Sequence, residues 1–251
     1  MNTVGVDEQR YLECLDADYT RLREVAPDAL AEPVPSCPGW TGDDLVRHVA
    51  EVYLHKVETM RQGTWPAPWP PSLPDPLAAL DDGYRQLVDE LTTRKPADRA
   101  LTWYGPDQTV GFWLRRMAQE TVIHRLDAEL AASAPHAPVP SDLADDGIDE
   151  LLTCFLAYAS AEYPDELGEH LAECDGRTVQ IATGEAGWQV QLGPTEVTVE
   201  RGHFDAETGV SGEAGAVLRW VWRRAGDGAV RLDGNRWVTG KLRALLGVTT
   251  Q

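Results

Sequence analysis

The chain has 251 residues, with 22 Lys+Arg against 41 Asp+Glu and a formal net charge of -19. Such an excess of acid repels nucleic acid and anionic membrane surfaces, so polyanion binding is excluded and a small-molecule role is expected. No apolar run approaches the length of a membrane span, Met1–Glu8 has neither a basic nor an apolar leader segment, and four dispersed cysteines without a C-x-x-C spacing fit reduced thiols. A cytoplasmic protein, without nucleic-acid or membrane partners and monomeric or homodimeric, is expected. With only three lysines and abundant Ala, Gly and Pro, the composition suggests a GC-rich bacterial genome.

In chain order, Leu12, Leu15, Tyr19 and Leu22 give the first helix, over Asp7–Glu24, which is expected to stop before Pro27. Pro33–Trp40 is too rich in proline to be helical. Thr41 and Asp44 then form a capping-box pattern that starts a second helix, fading near Met60. Gly63–Pro76 holds Trp65 and Trp69 among six prolines, a stiff aromatic loop that either walls a pocket or covers the bundle end. Leu77–Leu91 gives a third helix, and about Val110 to Ala132 a fourth; four helices so connected suggest a bundle.

The fourth helix carries the functional signal. Steps of four and three from Trp113 run through Met117, Glu120, His124, Asp127 and Ala131, so charged groups occupy inward positions, where they cost several kcal/mol unless paired or ligated. On the second helix Leu45, His48, Val52 and His55 make a matching seam. Facing helices would bring His48, Glu120 and His124 together as a ligand set for a divalent metal such as zinc, with an open fourth position. The same residues also read as a buried His–Glu pair that only stabilises the bundle. His55 reads as a neighbour of the site rather than a ligand, Asp127 as support for a ligand imidazole or a bridge to Arg125 or Arg47, Cys37 as a packed thiol, and Trp40, Trp103 and Trp113 as core. His136, His170 and His203 show no partner spacing.

Asp142–Glu162 resumes the helical pattern as a fifth helix. From Gly176 the period changes to two, with strands at Thr178–Ala182, Trp188–Leu192 and Glu196–Glu200 and helical segments at Ala214–Arg224 and Lys241–Leu246. The fold class is therefore α+β, a helical domain over 1–165 and a small mixed α/β domain over 166–251.

Ser36-Cys37-Pro38-Gly39-Trp40-Thr41-x-x-Asp44-Leu45-Val46-x-His48, Glu120-Thr121-x-x-His124-Arg125-x-Asp127, and Val210-Ser211-Gly212 followed by Trp220–Arg224 resemble the mycothiol-dependent maleylpyruvate isomerase family of actinobacteria. The resemblance implies a DinB-like up-down four-helix bundle followed by a sterol-carrier-like domain. It implies His48, Glu120 and His124 as ligands of zinc or nickel, mycothiol as thiol cosubstrate and an active-site arginine on Arg224, with Arg223 as its neighbouring alternative. Asp127 and Arg224 are then the candidate catalytic residues. The implied chemistry is attack of a metal-activated thiolate on a small electrophile, as S-transfer or as cis-trans isomerisation of the maleylpyruvate type. Hydrolysis by metal-bound water, with Asp127 or Glu51 as base, and a non-catalytic metal- or ligand-binding module are the competing readings.

Overall fold

The computed structural model describes residues 6–184 and 186–250, so the reading of Met1–Gly5 lies outside the described residues. Contacts divide the chain into two units, Val6–Ala137 and Pro138 onward. The first is a four-helix bundle of α1 (Glu8–Ala29), α2 (Gly42–Gln62), α3 (Pro76–Thr93) and α4 (Val110–Ala131). Helix α1 packs on α4, and α2 lies against both α3 and α4.

Leu15, Leu22, Leu45, Val49, Tyr53, Leu80, Leu87, Trp113 and Met117 fill its core. Helix α1 runs past Pro27, contrary to the expected stop. Proline removes one intrahelical hydrogen bond, but the last turn buries Val25, Ala26 and Ala29, and that burial carries the helix onward.

The α1–α2 connection folds back on itself: Val34 N–H donates to the Trp40 carbonyl at 2.9 Å, and Gly39 turns the chain at φ 88°. Thr41 and Asp44 close the expected capping box at the start of α2. Between them Gly42 packs directly on the end of α1, where an added Cβ would stand 2.0 Å from the Ala29 carbonyl oxygen. Gly42→Ala is expected to lower stability by about 3 kcal/mol, because backbone rather than a flexible side chain must yield. A thermal melt of the variant checks this; an unchanged midpoint would contradict the close approach.

The second unit holds α5 (Ser141–Glu150), a π-helical turn over Leu151–Ala157, α6 (Tyr158–Glu162) and α7 (Pro164–Leu171), then a five-stranded sheet. Its strands are β1 (Arg177–Thr183), β2 (Ala186–Leu192), β3 (Val197–Arg201), β4 (Thr208–Gly212) and β5 (Arg231–Gly234), in the order β3-β2-β1-β4-β5. Only β1 and β4 run parallel. Val179 pairs with Val190 and Ile181 with Trp188, all buried. Helices α8 (Ala214–Val221) and α9 (Arg236–Thr249) add Val217, Trp220, Leu242 and Leu245 to this core.

The unit boundary falls at 137/138 rather than near 165. The change from helical to strand periodicity marks where the sheet begins, whereas α5 already packs on α8, and the π-helical turn packs on β3 and α9. Within this unit Asp149 of α5 receives a charge-assisted bond from Arg201 and the Trp188 indole N–H. Among the described residues no helix is long and apolar enough to cross a membrane.

Candidate metal centre

Helix α4 is buried on nearly every side, its charged residues included. Glu120 Oε1 stands 3.2 Å from His48 Nε2 and 3.1 Å from His124 Nε2, and the two imidazoles meet edge to face with centroids 5.0 Å apart. One ligand atom from each of the three side chains lies within 4.8 Å of the others. The seams of α2 and α4 thus meet as their spacing predicts.

The remaining polar atoms of Glu120 and His124 are already held. Arg116, one turn before Glu120 and 4% exposed, donates to Glu120 Oε2 at 2.8 Å and leaves Oε1 facing the imidazoles. His124 Nδ1 and Asp127 Oδ2 are 2.9 Å apart, and Asp127 is fully buried. Its other oxygen accepts from the Ser36 hydroxyl, and the Cys37 thiol lies 3.8 Å from Oδ2. The folded-back α1–α2 connection therefore reaches the site through Ser36. The Asp127 contact orients the His124 ring with Nε2 turned to Glu120, the arrangement that ligand histidines use.

Burial alone would raise the Glu120 carboxyl. The His124 charge, hydrogen bonds with His124 and His48, and Arg116 overcome it and hold Glu120 well below the usual carboxylate range. Burial would likewise lower His124, yet the charge of Glu120 and the contact with Asp127 push it up to about 9. Two imidazole nitrogens and a carboxylate oxygen converge, Glu120 and His124 braced from behind by Arg116 and Asp127, and fit a divalent ion with an open position.

Trp40 does not join the core as expected. It lies 4.9 Å from the His48 ring and, with Asp44, Arg47, His48 and Glu51, lines an open pocket of about 350 Å³. Trp113 is fully buried. Asp127 meets the His124 imidazole, while Arg125 binds Asp18 and Glu129, and Arg47 binds Asp43 and loop carbonyls. His55 stands apart from the triad, between Trp65 and Trp69 of the proline-rich loop.

Sequence reading passed over Arg116 and Lys56, although both carry a signal. Arg116 is four residues before Glu120, the spacing of a helical ion pair, and Lys56 is eight residues beyond His48 on the same face. Arg224 belongs to the other unit, just beyond α8. Its Nη1 donates to the Trp222 carbonyl at 2.8 Å and its guanidinium lies 5.8 Å from the Trp222 ring centre, while the neighbouring Arg223 is exposed at φ 63°.

The family model of the mycothiol maleylpyruvate isomerase N-terminal domain matches residues 12–129, a span that contains His48, Glu120, His124 and Asp127. The helical unit belongs to this family. Two solved structures resemble the chain as a whole: the mycothiol-dependent maleylpyruvate isomerase at 15% identity and a histidine-to-alanine mutant of it at 14%. Each likeness covers 93% of this chain and 96% of the other, with a TM-score of 0.59. At that identity the likeness establishes the α+β fold of the mycothiol-dependent maleylpyruvate isomerase. No curated protein sequence matches the chain.

Proposed function

We propose that the protein is a divalent-metal- and mycothiol-dependent enzyme in which a thiolate attacks a small electrophile. His48, Glu120 and His124 are its ligands, for zinc or nickel. The convergence of one carboxylate oxygen and two imidazole nitrogens inside a bundle of this family carries the reading. When bound, the ion lowers the pKa of a coordinated thiol and supplies a nucleophile at neutral pH.

The chain's own residues supply the rest. Arg116 and Asp127 hold Glu120 and His124 in their binding orientations, which makes Asp127 a positioning residue. Trp40 and the pocket along α2 give the thiol an approach beside His48. Arg224 is proposed to hold a substrate carboxylate or a developing enolate.

S-transfer is favoured over isomerisation of maleylpyruvate itself, and the two separate by stoichiometry. The purified metal-loaded protein is incubated with mycothiol and an electrophile. Thiol lost one-for-one with adduct establishes transfer; thiol regenerated while the cis acid becomes trans establishes isomerisation. No consumption of either electrophile with any thiol would overturn the reading. Glu51, in the same pocket as His48, favours metal-dependent hydrolysis as second reading, and turnover without any thiol is its signature.

Asp127→Asn retains the shape of the side chain but removes the negative charge that supports His124. Metal affinity is expected to fall about 10- to 100-fold, measured by competition with a chelator of known affinity. An unchanged affinity would remove Asp127 from the centre.

A further inference from the structure

Helix α2 carries Glu51 three residues after His48, so the two side chains leave the same face of the helix with Cβ atoms about 5–6 Å apart. Both line the open pocket of about 350 Å³ to which Trp40, Asp44 and Arg47 also contribute. The other charged groups of that wall are engaged. Asp44 accepts the Thr41 N–H at 2.8 Å and the Thr41 hydroxyl at 2.7 Å in the capping box. Arg47 turns back to Asp43 and to the carbonyls of Leu73 and Pro74, although Glu51 is only one helical turn ahead of it.

One turn beyond Glu51, His55 directs Nδ1 to Lys56 and Thr59. Glu51 is left over. It is half-buried, and among the described residues it makes no hydrogen bond and no ion pair. A carboxylate with both oxygens free in a cavity can exchange a proton with whatever occupies that cavity.

The thiol chemistry proposed above has one proton to place. Attack on a conjugated double bond uses the sulfur electron pair, so the S–H bond breaks before the S–C bond forms. The π pair then moves onto the neighbouring carbon and the group conjugated with it. That carbanion has two fates. Expulsion of the thiolate after rotation returns an alkene, the trans isomer; capture of a proton on carbon makes the thioether permanent.

We propose that Glu51 is the proton carrier of this pocket, a catalytic residue that takes the proton of the entering thiol and returns it to the carbanion, committing the reaction to S-transfer. The proposal rests on the metal–thiol reading and deepens it. It balances without a further reactant: the S–H bond and the C=C π bond break, the S–C and C–H bonds form, and Glu51 ends as the carboxylate it began as. One side chain then decides the outcome. With its carboxyl in place the carbanion is trapped; without it, expulsion of sulfur wins and isomerisation takes over.

The test uses the purified, metal-loaded full-length protein, mycothiol and dimethyl maleate, a neutral cis alkene whose adduct is a thioether of dimethyl succinate and whose isomer is dimethyl fumarate. Initial rates of both products are read by chromatography. The parent is expected to give mainly adduct. Glu51→Gln keeps the size of the side chain but cannot carry the proton, and should shift the ratio at least about tenfold toward fumarate, with metal content and melting temperature unchanged. Glu51→Asp, which keeps the acid on a shorter arm, should restore part of the ratio. A purely structural role would slow both products together, because they share the addition step.

A second readout needs no turnover. Thiol added to the metal-loaded protein in weakly buffered solution should release fewer protons from the parent than from Glu51→Gln, by up to about one per thiol bound. An unchanged product ratio in Glu51→Gln, equal proton release from the two proteins, or a parent that forms only dimethyl fumarate overturns the proton role and leaves the metal–thiol reading standing. No turnover of any electrophile by the parent with any thiol removes the metal–thiol reading itself, and the proton role falls with it.

Discussion

His48→Ala is expected to abolish metal binding and lower thiol-dependent turnover by at least about 1000-fold, while the protein remains folded. On the proposed ligand set, losing one of three ligands would remove the ion, and with it several kcal/mol of transition-state and thiolate stabilisation; about 4 kcal/mol corresponds to that factor. The His48 side chain is 34% exposed and contacts Glu120 from outside the α4 network, so its removal leaves Arg116 and His124 to compensate the carboxylate. His124→Ala is a harsher change. It strips a buried partner from both Glu120 and Asp127 and is expected to destabilise the bundle by about 3–5 kcal/mol besides losing the metal. Elemental analysis of parent and variants, alongside thermal melts, reads both effects. A parent that holds no metal and cannot be loaded, with variants that are merely less stable, would make the cluster a structural polar network.

The bundle and its centre are legible in the sequence because inward positions of an amphipathic helix are fixed by its period. Glu120, His124 and Asp127 stand out as charges where Met117 and Ala131 mark a core, and His48 stands out for the same reason on α2. A capping pattern at Thr41 and Asp44 fixes the start of α2 and so the height of His48 on the bundle. What the period cannot carry is the direction of each side chain's second atom. That Arg116 takes Glu120 Oε2, or that Ser36 reaches Asp127 from ninety-one residues away, depends on how the α1–α2 connection folds back.

The α/β unit is legible only in part. Strands β1 to β3 alternate cleanly, whereas β4 and β5 contain little apolar sequence and exist because β1 offers a free edge to β4, and β4 in turn to β5. The end of α1 is not legible in the sequence, because proline reports a lost hydrogen bond and is silent about the apolar turn that outweighs it. The π-helical turn in the α5 region has no sequence signature at all, since its extra residue per turn is set by packing.

The second large effect is a proton exchanged for the metal. In the metal-free protein His124 is held up to about 9 by Glu120 and Asp127 against the opposing effect of burial, so at neutral pH its imidazole is protonated. A ligand nitrogen must be neutral, and each ion bound therefore displaces that proton. Apparent metal affinity is expected to rise about tenfold per pH unit between pH 6.5 and 9 and then to level off, measured in metal buffers with the proton release followed in weakly buffered solution. For the metal-free fold the sign is reversed. A histidine whose pKa is raised from 6.5 to about 9 contributes stability that is complete below pH 6.5 and is lost as pH climbs through 9, about 3 kcal/mol over the interval. The metal-free protein should thus weaken on the alkaline side of neutrality, where the metal-bound form gains its greatest advantage, so the stabilisation conferred by metal should widen steadily across that range. Affinity independent of pH, with no proton released, would mean that His124 is neutral before the metal arrives and that the Glu120–His124–Asp127 chain does not hold a charge.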